Sequence, residues 1–399
     1  MKRWLSFSAI AVLCLSLVIS VACGGGEEEE RVKEVKFGVG MPLSGIYSFV
    51  GLPAMHALEI ANEKVGEFTV AGETYRWKLV IEDNKMTGSG GVASATKLIF
   101  EDGVKLMYQA GTDTAGAAQT ICEESGVLLD MGLAHPQFLG LDKPHSISIS
   151  PTFMVDTPAL FQWVTTAYPE VKTVGLSLAD NAFGHAVGEA AIDAACYFGL
   201  EVVAAEWPPA ELTELYPLAT KLVDINPDLM ICDVLTLKPM QELGYDGRTA
   251  YISWAEFFGE YIGYENYQGA MIYQANPYGA DLPQEVRDLS AELKQRYGEE
   301  FSQFSYYLTT ILFVLTEVLK KAGTVDDVDW ILETIHNETF DTWIGPVHFA
   351  GEELIGINNM MLWPTQVHEI RGEDYVLVFE MSPDEAYELA MEVYGEFSE

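Results

Sequence analysis

Residues 104–131 read VKLMYQAGTDTAGAAQTICEESGVLLDM and contain one complete strand–helix–strand unit. Residues 104–109 and 127–131 are short apolar runs of the length expected for buried strands. Between them, residues 115–124 have the mixture of small, apolar and polar residues that is typical of a helix. Because a crossover helix of this kind joins parallel strands, the unit predicts an α/β fold with parallel sheets.

The same alternation extends through most of the chain. Strands are predicted at residues 35–41, 77–82, 104–109, 127–131, 173–178, 201–205, 229–233, 250–253 and 270–273, and helices at 53–65, 91–100, 115–124, 157–166, 182–198 and 216–225. Two further helices are predicted at residues 283–296 and 305–321. Helices at this frequency cover both faces of parallel sheets, and a chain of 399 residues exceeds one hydrophobic core, so we expect about two domains.

Three interruptions of this rhythm divide the chain into two lobes. They lie near Pro151, in residues 274–281 and in residues 343–349. Three crossings between two lobes form a hinge, which bends through a few backbone torsions. Lobe 1 is predicted to comprise residues 35–150 and 278–345, and lobe 2 residues 151–277 and 346–381, followed by a C-terminal helix at 382–399 that we assign to packing.

The N-terminus is typical of an exported lipoprotein. Residues 1–22 have a basic start, a long apolar run and small residues directly before Cys23, which is the layout of a cleaved export signal. Small residues followed by cysteine resemble the bacterial lipobox, which implies that Cys23 carries a lipid anchor. Residues 23–34 include three glycines and four consecutive glutamates and are predicted to form a solvated tether. The chain is therefore expected outside the cytoplasm, anchored to the membrane; an ordinary signal peptide with a chance cysteine is the alternative.

The charge balance argues against nucleic acid as a partner. The sequence has 60 acidic and 22 basic residues and a formal net charge of −38. Phosphate binding requires clustered lysine and arginine, so we interpret the acidity as a source of solubility. Three cysteines remain beyond Cys23, namely Cys122, Cys196 and Cys232, and their spacing is not that of a metal site. We expect buried free thiols, with one disulfide as the alternative.

Several short segments, taken in order, resemble the type I periplasmic binding proteins, and within them the group that binds leucine, isoleucine and valine. They are KFGVGMPLSGIYSFVG at residues 36–51, residues 104–114, ESGV at 124–127, DNAFG at 180–184 and VLKKAG at 318–323. The resemblance implies two Rossmann-like lobes with parallel sheets joined by a three-strand hinge. It also implies that a small molecule is captured between the lobes and delivered to the permease of an ABC importer.

The first candidate binding segment is Thr112, Asp113 and Thr114, between a predicted strand and a predicted helix. Free amides at a helix start carry partial positive charge, and nearby hydroxyls donate hydrogen bonds, so this segment suits a carboxylate. The resemblance implies that Thr112 binds the α-carboxylate of an amino acid. Asp113 departs from that pattern, because it would repel an anion unless it points away or meets an amine. The alternative is that the threonines only cap the helix.

The second candidate segment is Leu133, Ala134 and His135, which follows the strand at 127–131. The resemblance implies that the backbone of Leu133 and Ala134 faces the cleft. His135 stands where relatives often carry a hydroxyl, so it could donate to a carboxylate or contact an aromatic ligand. A loop histidine that hydrogen-bonds locally is the equal alternative.

The second lobe and three aromatic rings complete the candidate site. The resemblance implies that the second lobe contributes Phe183, Leu235, Thr236, Trp254 and Glu256, and that Phe49, Phe304 and Tyr306 add aromatic lining. Glu256 is the acid expected to pair with the ligand ammonium, since a closed cleft strengthens such an ion pair. A solvated loop acid is the alternative for Glu256, and core packing is the alternative for each ring.

The sequence contains no motif that indicates an enzyme. There is no GxSxG elbow, no P-loop and no HExxH sequence, and the histidines lack metal-ligand spacing. We therefore predict a non-enzymatic binding lipoprotein without cofactor or metal, whose ligand is a branched-chain or other apolar amino acid. The alternatives are another small carboxylate, amide or aromatic ligand, a sensory ligand-binding module on the same fold and, more distantly, a surface hydrolase.

Overall fold

The computed structural model describes residues 32–45, 47–132, 136–209, 214–252, 259, 263–273 and 282–395. Its strands are β1 (Lys33–Met41), β2 (Glu67–Val70), β3 (Glu73–Asp83), β4 (Leu106–Gln109), β5 (Leu128–Asp130), β6 (Ser146–Ile147), β7 (Thr173–Ser177), β8 (Glu201–Glu206), β9 (Leu229–Cys232), β10 (Arg248–Tyr251), β11 (Met271–Tyr273), β12 (Phe340–Thr342), β13 (Gly345–Ala350), β14 (Met360–Leu362), β15 (Thr365–Arg371) and β16 (Asp374–Met381). Its helices are α1 (Ser48–Val65), α2 (Gly88–Phe100), α3 (Thr112–Ser125), α4 (Phe153–Ala167), α5 (Ala182–Tyr197), α6 (Tyr216–Ile225), α7 (Val234–Glu242), α8 (Gln284–Tyr297), α9 (Gln303–Ala322), α10 (Val328–Asn337), α11 (Glu352–Ile355) and α12 (Pro383–Tyr394).

The first lobe is built on a sheet with the strand order β2-β3-β1-β4-β5-β6. From β3 to β6 all neighbouring strands are parallel, as the strand–helix alternation predicts. Strand β2 is antiparallel to β3 and was not predicted. The turn between them has Ala71 at φ 50° and Gly72 at φ 84°, and two consecutive positive φ angles are typical of a tight hairpin.

The second lobe is built on a sheet with the order β16-β15-β11-β10-β9-β7-β8. The five neighbouring strands β11, β10, β9, β7 and β8 are all parallel, and this confirms the predicted second parallel sheet. Strands β15 and β16 add an antiparallel hairpin at its edge, which the sequence analysis did not predict. Antiparallel edge strands are common on otherwise parallel sheets.

The connections between the lobes are visible at two places in the described chain. Residues 148–152 lead from β6 to α4, and residues 359–364, which include β14, lead to β15. The two connections run side by side, because the Ser148 amide donates to the Asn359 carbonyl at 2.8 Å and the Met361 amide donates to the Ser148 carbonyl at 2.9 Å. The interruption at 274–281 lies outside the described residues. The interruption at 343–349 falls on an antiparallel hairpin of β12 and β13.

Three hydrophobic clusters hold the described part of the chain together. The first-lobe cluster joins one face of the first sheet to α1, α8 and α9, and it includes Phe349 and Met361 of β13 and β14. The central cluster begins on the other face with Leu98 of α2, continues through Phe153 of α4 and reaches Val174 of β7. The outer cluster lies on the far side of the second sheet. The central cluster therefore belongs to both lobes, while the precise lobe boundaries stay a prediction.

The chain ends and the cysteines differ in part from expectation. Lys33 and Glu34, which we placed at the end of the tether, already belong to β1, while Cys23 and the export signal lie outside the described residues. Helix α12 begins with a capping box formed by Ser382 and Glu385. The cysteines Cys122, Cys196 and Cys232 are free, but Cys196 is exposed and was expected to be buried. In the described part of the chain, no helix combines the length and apolarity needed to cross a membrane.

Candidate functional site

Helix α3 begins directly at the carboxyl edge of the first sheet, one turn after β4. Its N-cap is Gly111 at φ 91°, and a Cβ atom there would lie 2.4 Å from the Met86 sulfur. The positive φ favours glycine, and an added methyl group would require the Met86 side chain to move. Thr112 and Thr114 are 6% and 1% exposed, so their hydroxyl-bearing side chains lie largely within the protein at the start of the helix. Neither threonine is the N-cap residue, which the capping alternative required.

Asp113 points to the second lobe. Its Oδ1 accepts a hydrogen bond from the backbone amide of Ala182 at 3.2 Å. Ala182 is the first residue of α5, whose N-cap Asn181 accepts from the Gly184 amide at 2.8 Å. A carboxylate is stabilised near the positive end of a helix dipole. The starts of α3 and α5, one from each lobe, are therefore bridged by an acidic side chain.

Phe183 lies beside this bridge in the first turn of α5. Its half-buried ring packs edge-on against Phe153, with a centroid distance of 5.4 Å. Phe153 is fully buried and opens α4 after the first connection between the lobes. The ring of Phe183 thus combines a partly exposed surface with contact to the connecting region.

Leu235 and Thr236 lie in the first turn of α7, which begins immediately after β9. Leu235 is 49% exposed, whereas Thr236 is 2% exposed. The Thr236 amide donates to the carbonyl of Asp233 at 3.0 Å. The two predicted residues therefore present very different surfaces, and the leucine is the one that solvent or a ligand reaches.

Asp233 is a candidate that the sequence analysis missed. It follows β9 at the carboxyl edge of the second sheet, and its own amide donates to the Ser177 carbonyl at 2.9 Å. Burial raises the pKa of the Asp233 carboxyl to about 6, while the backbone amide of Ala179 opposes that rise. The carboxyl edges of parallel sheets are where such folds bind ligands. A partly buried acid at that edge suits a cationic ligand group.

The predicted aromatic lining is only partly exposed. Phe49 lies in the first turn of α1 and Phe304 in the first turn of α9, and both side chains are half-buried. Tyr306 is 7% exposed, because its ring lies against Trp363 at 5.6 Å and Trp343 at 6.3 Å. Burial raises the pKa of the Tyr306 hydroxyl. Packing in the first-lobe cluster therefore accounts for most of the Tyr306 surface.

Five predicted site residues lie outside the described residues. They are Leu133, Ala134, His135, Trp254 and Glu256. The structure thus describes Phe49, Thr112, Asp113, Thr114, Phe183, Leu235, Thr236, Phe304 and Tyr306. Within the described ranges, no group of three or more histidine, cysteine or acidic side chains could hold a metal ion.

Comparison with protein families yields one match that spans most of the chain. A family model described as "periplasmic binding protein" matches residues 34–367. No curated protein sequence matches the chain closely enough to count as a relative.

Comparison with solved structures finds the same architecture at low sequence identity. A leucine-binding protein from Thermotoga maritima is 17% identical with a TM-score of 0.74, covering 88% of this chain and 99% of its own. A solute-binding protein of an ABC transporter from Rhodopseudomonas palustris, in complex with 3,4-dihydroxybenzoic acid, is 17% identical with a TM-score of 0.73, covering 88% and 98%. A leucine-, isoleucine-, valine-, threonine- and alanine-binding protein from Brucella ovis is 18% identical with a TM-score of 0.74, covering 89% and 97%. At these identities the likeness concerns the fold.

Proposed function

This chain belongs to the periplasmic binding protein family, and we propose that it captures a small apolar amino acid, branched-chain or similar, between its two lobes. The family is one of solute-binding proteins of the ABC-transporter type rather than of enzymes. The observation that carries the proposal is the pair of helix starts bridged by Asp113 and the Ala182 amide. Two lobes that approach each other at helix starts form a site in which polar ligand groups find preorganised donors.

The carboxylate of the ligand binds at the start of α3. Thr112 and Thr114 are buried there beside the first-turn amides of the helix. Those amides lie at the positive end of the helix dipole, where an anionic group is stabilised. A ligand without a carboxylate therefore loses the contacts to the first lobe.

The ammonium group of the ligand binds to the second lobe. Asp233 at the end of β9 is the acid that the structure supports, and Glu256 is the acid that the family resemblance implies. A carboxylate in a closed cleft attracts a cation more strongly than one in bulk water, because the effective dielectric is lower. Phe49, Phe183, Leu235, Phe304 and Tyr306 supply apolar and aromatic contacts to the ligand side chain, with Trp254, Leu133, Ala134 and His135 as the predicted remainder.

An aromatic acid is the second candidate ligand. Structures with the same fold include a protein bound to 3,4-dihydroxybenzoic acid and one bound to benzoate. The half-buried ring of Phe183 stands next to the bridged helix starts and suits stacking or edge contact with such a ligand. This ligand needs the carboxylate contacts at α3 and has no ammonium group for Asp233.

The remaining parts of the proposal concern place and partner. Cleavage after residue 22 and lipidation of Cys23 anchor the protein outside the cytoplasm, and the closed form delivers its ligand to an ABC permease. Ligand contacts to both lobes favour the closed form by their differential free energy. A sensory partner that reads the same closure is the alternative.

The experiment is a thermal-shift panel on the mature protein with matched ligand pairs. A compound that binds only the native state raises the unfolding midpoint. We expect leucine, isoleucine or valine to raise it, and we expect leucinamide, which lacks the carboxylate, and 4-methylpentanoate, which lacks the ammonium group, to have much smaller effects. A rise with benzoate or 3,4-dihydroxybenzoate, but not with the amino acids, would transfer the proposal to the aromatic class. Recovery of the bound compound unchanged supports binding rather than catalysis.

A further inference from the structure

Asp130 is a fully buried acid at the carboxyl edge of the first sheet. It is the last residue of β5 and is 0% exposed. Its Oδ1 accepts hydrogen bonds from two backbone amides, that of Gly132 at 2.9 Å and that of Ile149 at 3.1 Å. Gly132 lies just beyond the strand, at the sheet edge, while Ile149 lies on the first connection between the lobes. One carboxylate oxygen therefore joins the sheet edge to the hinge.

The carbonyl of Gly132 is held by the same connection. The hydroxyls of Ser148 and Ser150 both lie within donating distance of it, at 2.8 Å and 3.1 Å. Gly132 itself has φ 64°, and a Cβ atom there would lie 3.1 Å from the Tyr108 hydroxyl. The carbonyl of this glycine is thus tied directly to Ser148 and Ser150, and its amide is tied to Ile149 only through the shared Oδ1 acceptor of Asp130.

The hydrogen-bond network around Asp130 and Gly132 extends to the second connection between the lobes. Ser148 exchanges backbone hydrogen bonds with Asn359 and Met361 on the segment that leads to β15. The Asn359 side chain adds a bond from its amide to the Ser146 carbonyl at 2.8 Å. A displacement at Gly132 is therefore transmitted through Ile149 and Ser148 to both connections that the structure describes.

The chemistry of Asp130 is unusual for a purely structural residue. Among the described residues, no donor reaches its Oδ2 atom, which is also buried from solvent. A buried carboxylate with an unpaired oxygen is costly. Burial raises the pKa of this carboxyl to about 7, although the two amide bonds favour the charged form. A leucine or valine at this position would avoid that cost, but it could not join the two backbone segments.

We propose that Asp130 is a positioning residue that couples the ligand-binding edge of the first lobe to the hinge between the lobes. This inference rests on the proposed function, because the edge at Gly132 matters only if a ligand binds there. The side chain does not touch the ligand. It holds the Gly132 backbone in register with the connecting strand, so that ligand binding and lobe closure occur together.

The experiment compares Asp130→Ala, Asp130→Asn and Asp228→Ala in the mature protein. Asp228 is the matched control, since its carboxylate also accepts from two backbone amides, those of Lys172 at 2.8 Å and Thr173 at 2.9 Å. It does so at the start of β7 and β9, the opposite edge of the second sheet. Asparagine keeps the amide-accepting oxygen of Asp130 and removes the charge.

Two measurements are made on each variant. Hydrogen–deuterium exchange of the ligand-free protein reports on the hydrogen bonds that Asp130 accepts. We expect Asp130→Ala to accelerate exchange in peptides containing Gly132 and Ile149, and we expect Asp130→Asn to restore protection. Calorimetric titration with leucine reports on coupling. We expect Asp130→Ala to weaken affinity by about tenfold, Asp130→Asn to recover most of that loss, and Asp228→Ala to lower stability without changing affinity.

The outcomes separate this inference from the proposed ligand. Unchanged exchange at Gly132 and Ile149 in Asp130→Ala overturns the inference whether or not leucine binds. Accelerated exchange with unchanged leucine affinity also overturns it, because the hydrogen bonds of Asp130 would then have no effect on binding. If leucine does not bind the wild type and 3,4-dihydroxybenzoate does, the amino-acid proposal fails, and the same titration with that acid decides the role of Asp130.

Discussion

At the scale of single residues, one fully buried acid and one half-buried acid stand out from a surface covered with carboxylates. Asp130 and Asp233 each end or follow a strand at the carboxyl edge of a parallel sheet, one in each lobe. Burial raises the pKa of both carboxyls, to about 7 for Asp130 and to about 6 for Asp233. Both groups therefore change charge in the pH range in which a binding protein works, and each leads to a different prediction.

The first prediction concerns the stability of the protein against pH. The folded protein holds the Asp130 proton up to about pH 7, whereas an unfolded chain releases it near pH 4. Between these values the folded state binds more protons, so this group lowers the free energy of unfolding as the pH rises, by at most about 1.4 kcal/mol per pH unit. Above pH 7 its contribution no longer changes.

Asp130→Asn removes this dependence. Urea unfolding at pH 5.0 and 7.5 should show the variant gaining stability relative to the wild type at the higher pH. Among the described residues, the Tyr108 hydroxyl is a titratable group that interacts with Asp130, and burial raises its pKa, so it stays protonated throughout. The prediction is contradicted if the free energy of unfolding changes by the same amount in both proteins between pH 5.0 and pH 7.5.

The second prediction concerns the pairing of the Asp233 carboxylate with the ammonium group of the ligand. If its carboxylate pairs with the ligand ammonium, leucine affinity is constant above about pH 7 and falls as the pH drops below about 6. Asp233→Asn should weaken leucine binding by about tenfold at pH 7.5 and flatten the pH profile. Binding of an aromatic acid, measured by the same calorimetry, should not weaken. Equal leucine affinities for the two proteins would assign the ammonium contact to another acid.

At the scale of secondary-structure elements, the candidate site depends on where helices begin. Helix α3 and helix α5 both start just after strands, at the carboxyl edges of their sheets. Their starts are bridged by Asp113 and the Ala182 amide, although the sequence suggests that an acid at position 113 would hinder anion binding. The bridge shows that this acid meets a donor from the other lobe.

The third prediction follows from this bridge. Asp113→Ala should shift the ligand-free protein towards the open form, because it removes the hydrogen bond to the Ala182 amide, which forms only when the two lobes are close together. An acid at an exposed helix start is worth less than about 1 kcal/mol, so we expect a shift of about two- to fivefold in the ratio of closed to open forms. The radius of gyration from small-angle X-ray scattering measures it.

The matched control for this variant is Glu285→Ala. Glu285 is also an acid in the first turn of a first-lobe helix, α8. The substitution Glu285→Ala should leave the radius of gyration unchanged. A similar expansion in both variants would point to a general effect of charge rather than to the bridge.

The fourth prediction compares the two ends of α3. Gly111 precedes the helix at φ 91° with a Cβ clash against Met86, while Gly126 follows it at φ 62° with open space around it. Gly126→Ala should cost about 1 kcal/mol of stability through backbone strain alone. Gly111→Ala should cost more and should also weaken ligand binding, because it displaces the first-turn amides.

Denaturant unfolding and leucine titration measure the two effects separately. Equal stability losses in both variants would show that Met86 adapts to the added methyl group. Unchanged affinity in Gly111→Ala would remove the start of α3 from the ligand site.

At the scale of the whole molecule, the central cluster and the net charge act in opposite directions. The central cluster runs from Leu98 in the first lobe to Val174 in the second and favours the compact state. The formal net charge of −38 opposes it by self-repulsion. Basic residues are few, and several of them pair with acids at the surface, for example Arg296 with Glu63 and Lys64 with Glu292.

The fifth prediction tests this balance through salt. Raising sodium chloride from about 10 mM to about 150 mM shortens the Debye length from about 30 Å to about 8 Å. The repulsion among distant acids is screened more than the contacts between neighbouring ions, so the thermal midpoint should rise. Differential scanning calorimetry at pH 7 measures it. A fall in the midpoint would mean that the surface ion pairs outweigh the net repulsion.

Part of the candidate site could be proposed from the sequence, and part could not. Thr112 and Thr114 could be singled out, because a hydroxyl residue between a strand and a helix is a local pattern. Asp233 could not, since one acid among 60 carries no signal until its burial is known. The hairpin of β15 and β16 was missed because its strands lie at a sheet edge and do not form the continuous apolar runs of the central strands.

The sequence by itself determined the alternation of strands and helices and the parallel sheets, because these depend on periodicities of a few residues. The helices α1 to α4 begin three to five residues before their predicted starts. Only the tertiary structure decided which residues meet across the lobes. The contacts of Asp113 with Ala182 and of Asp130 with Ile149 join residues that are 69 and 19 positions apart. Such contacts, and the burial that raises the pKa of Asp130, depend on how the sheets and connections pack in space, and no local pattern of residues encodes them.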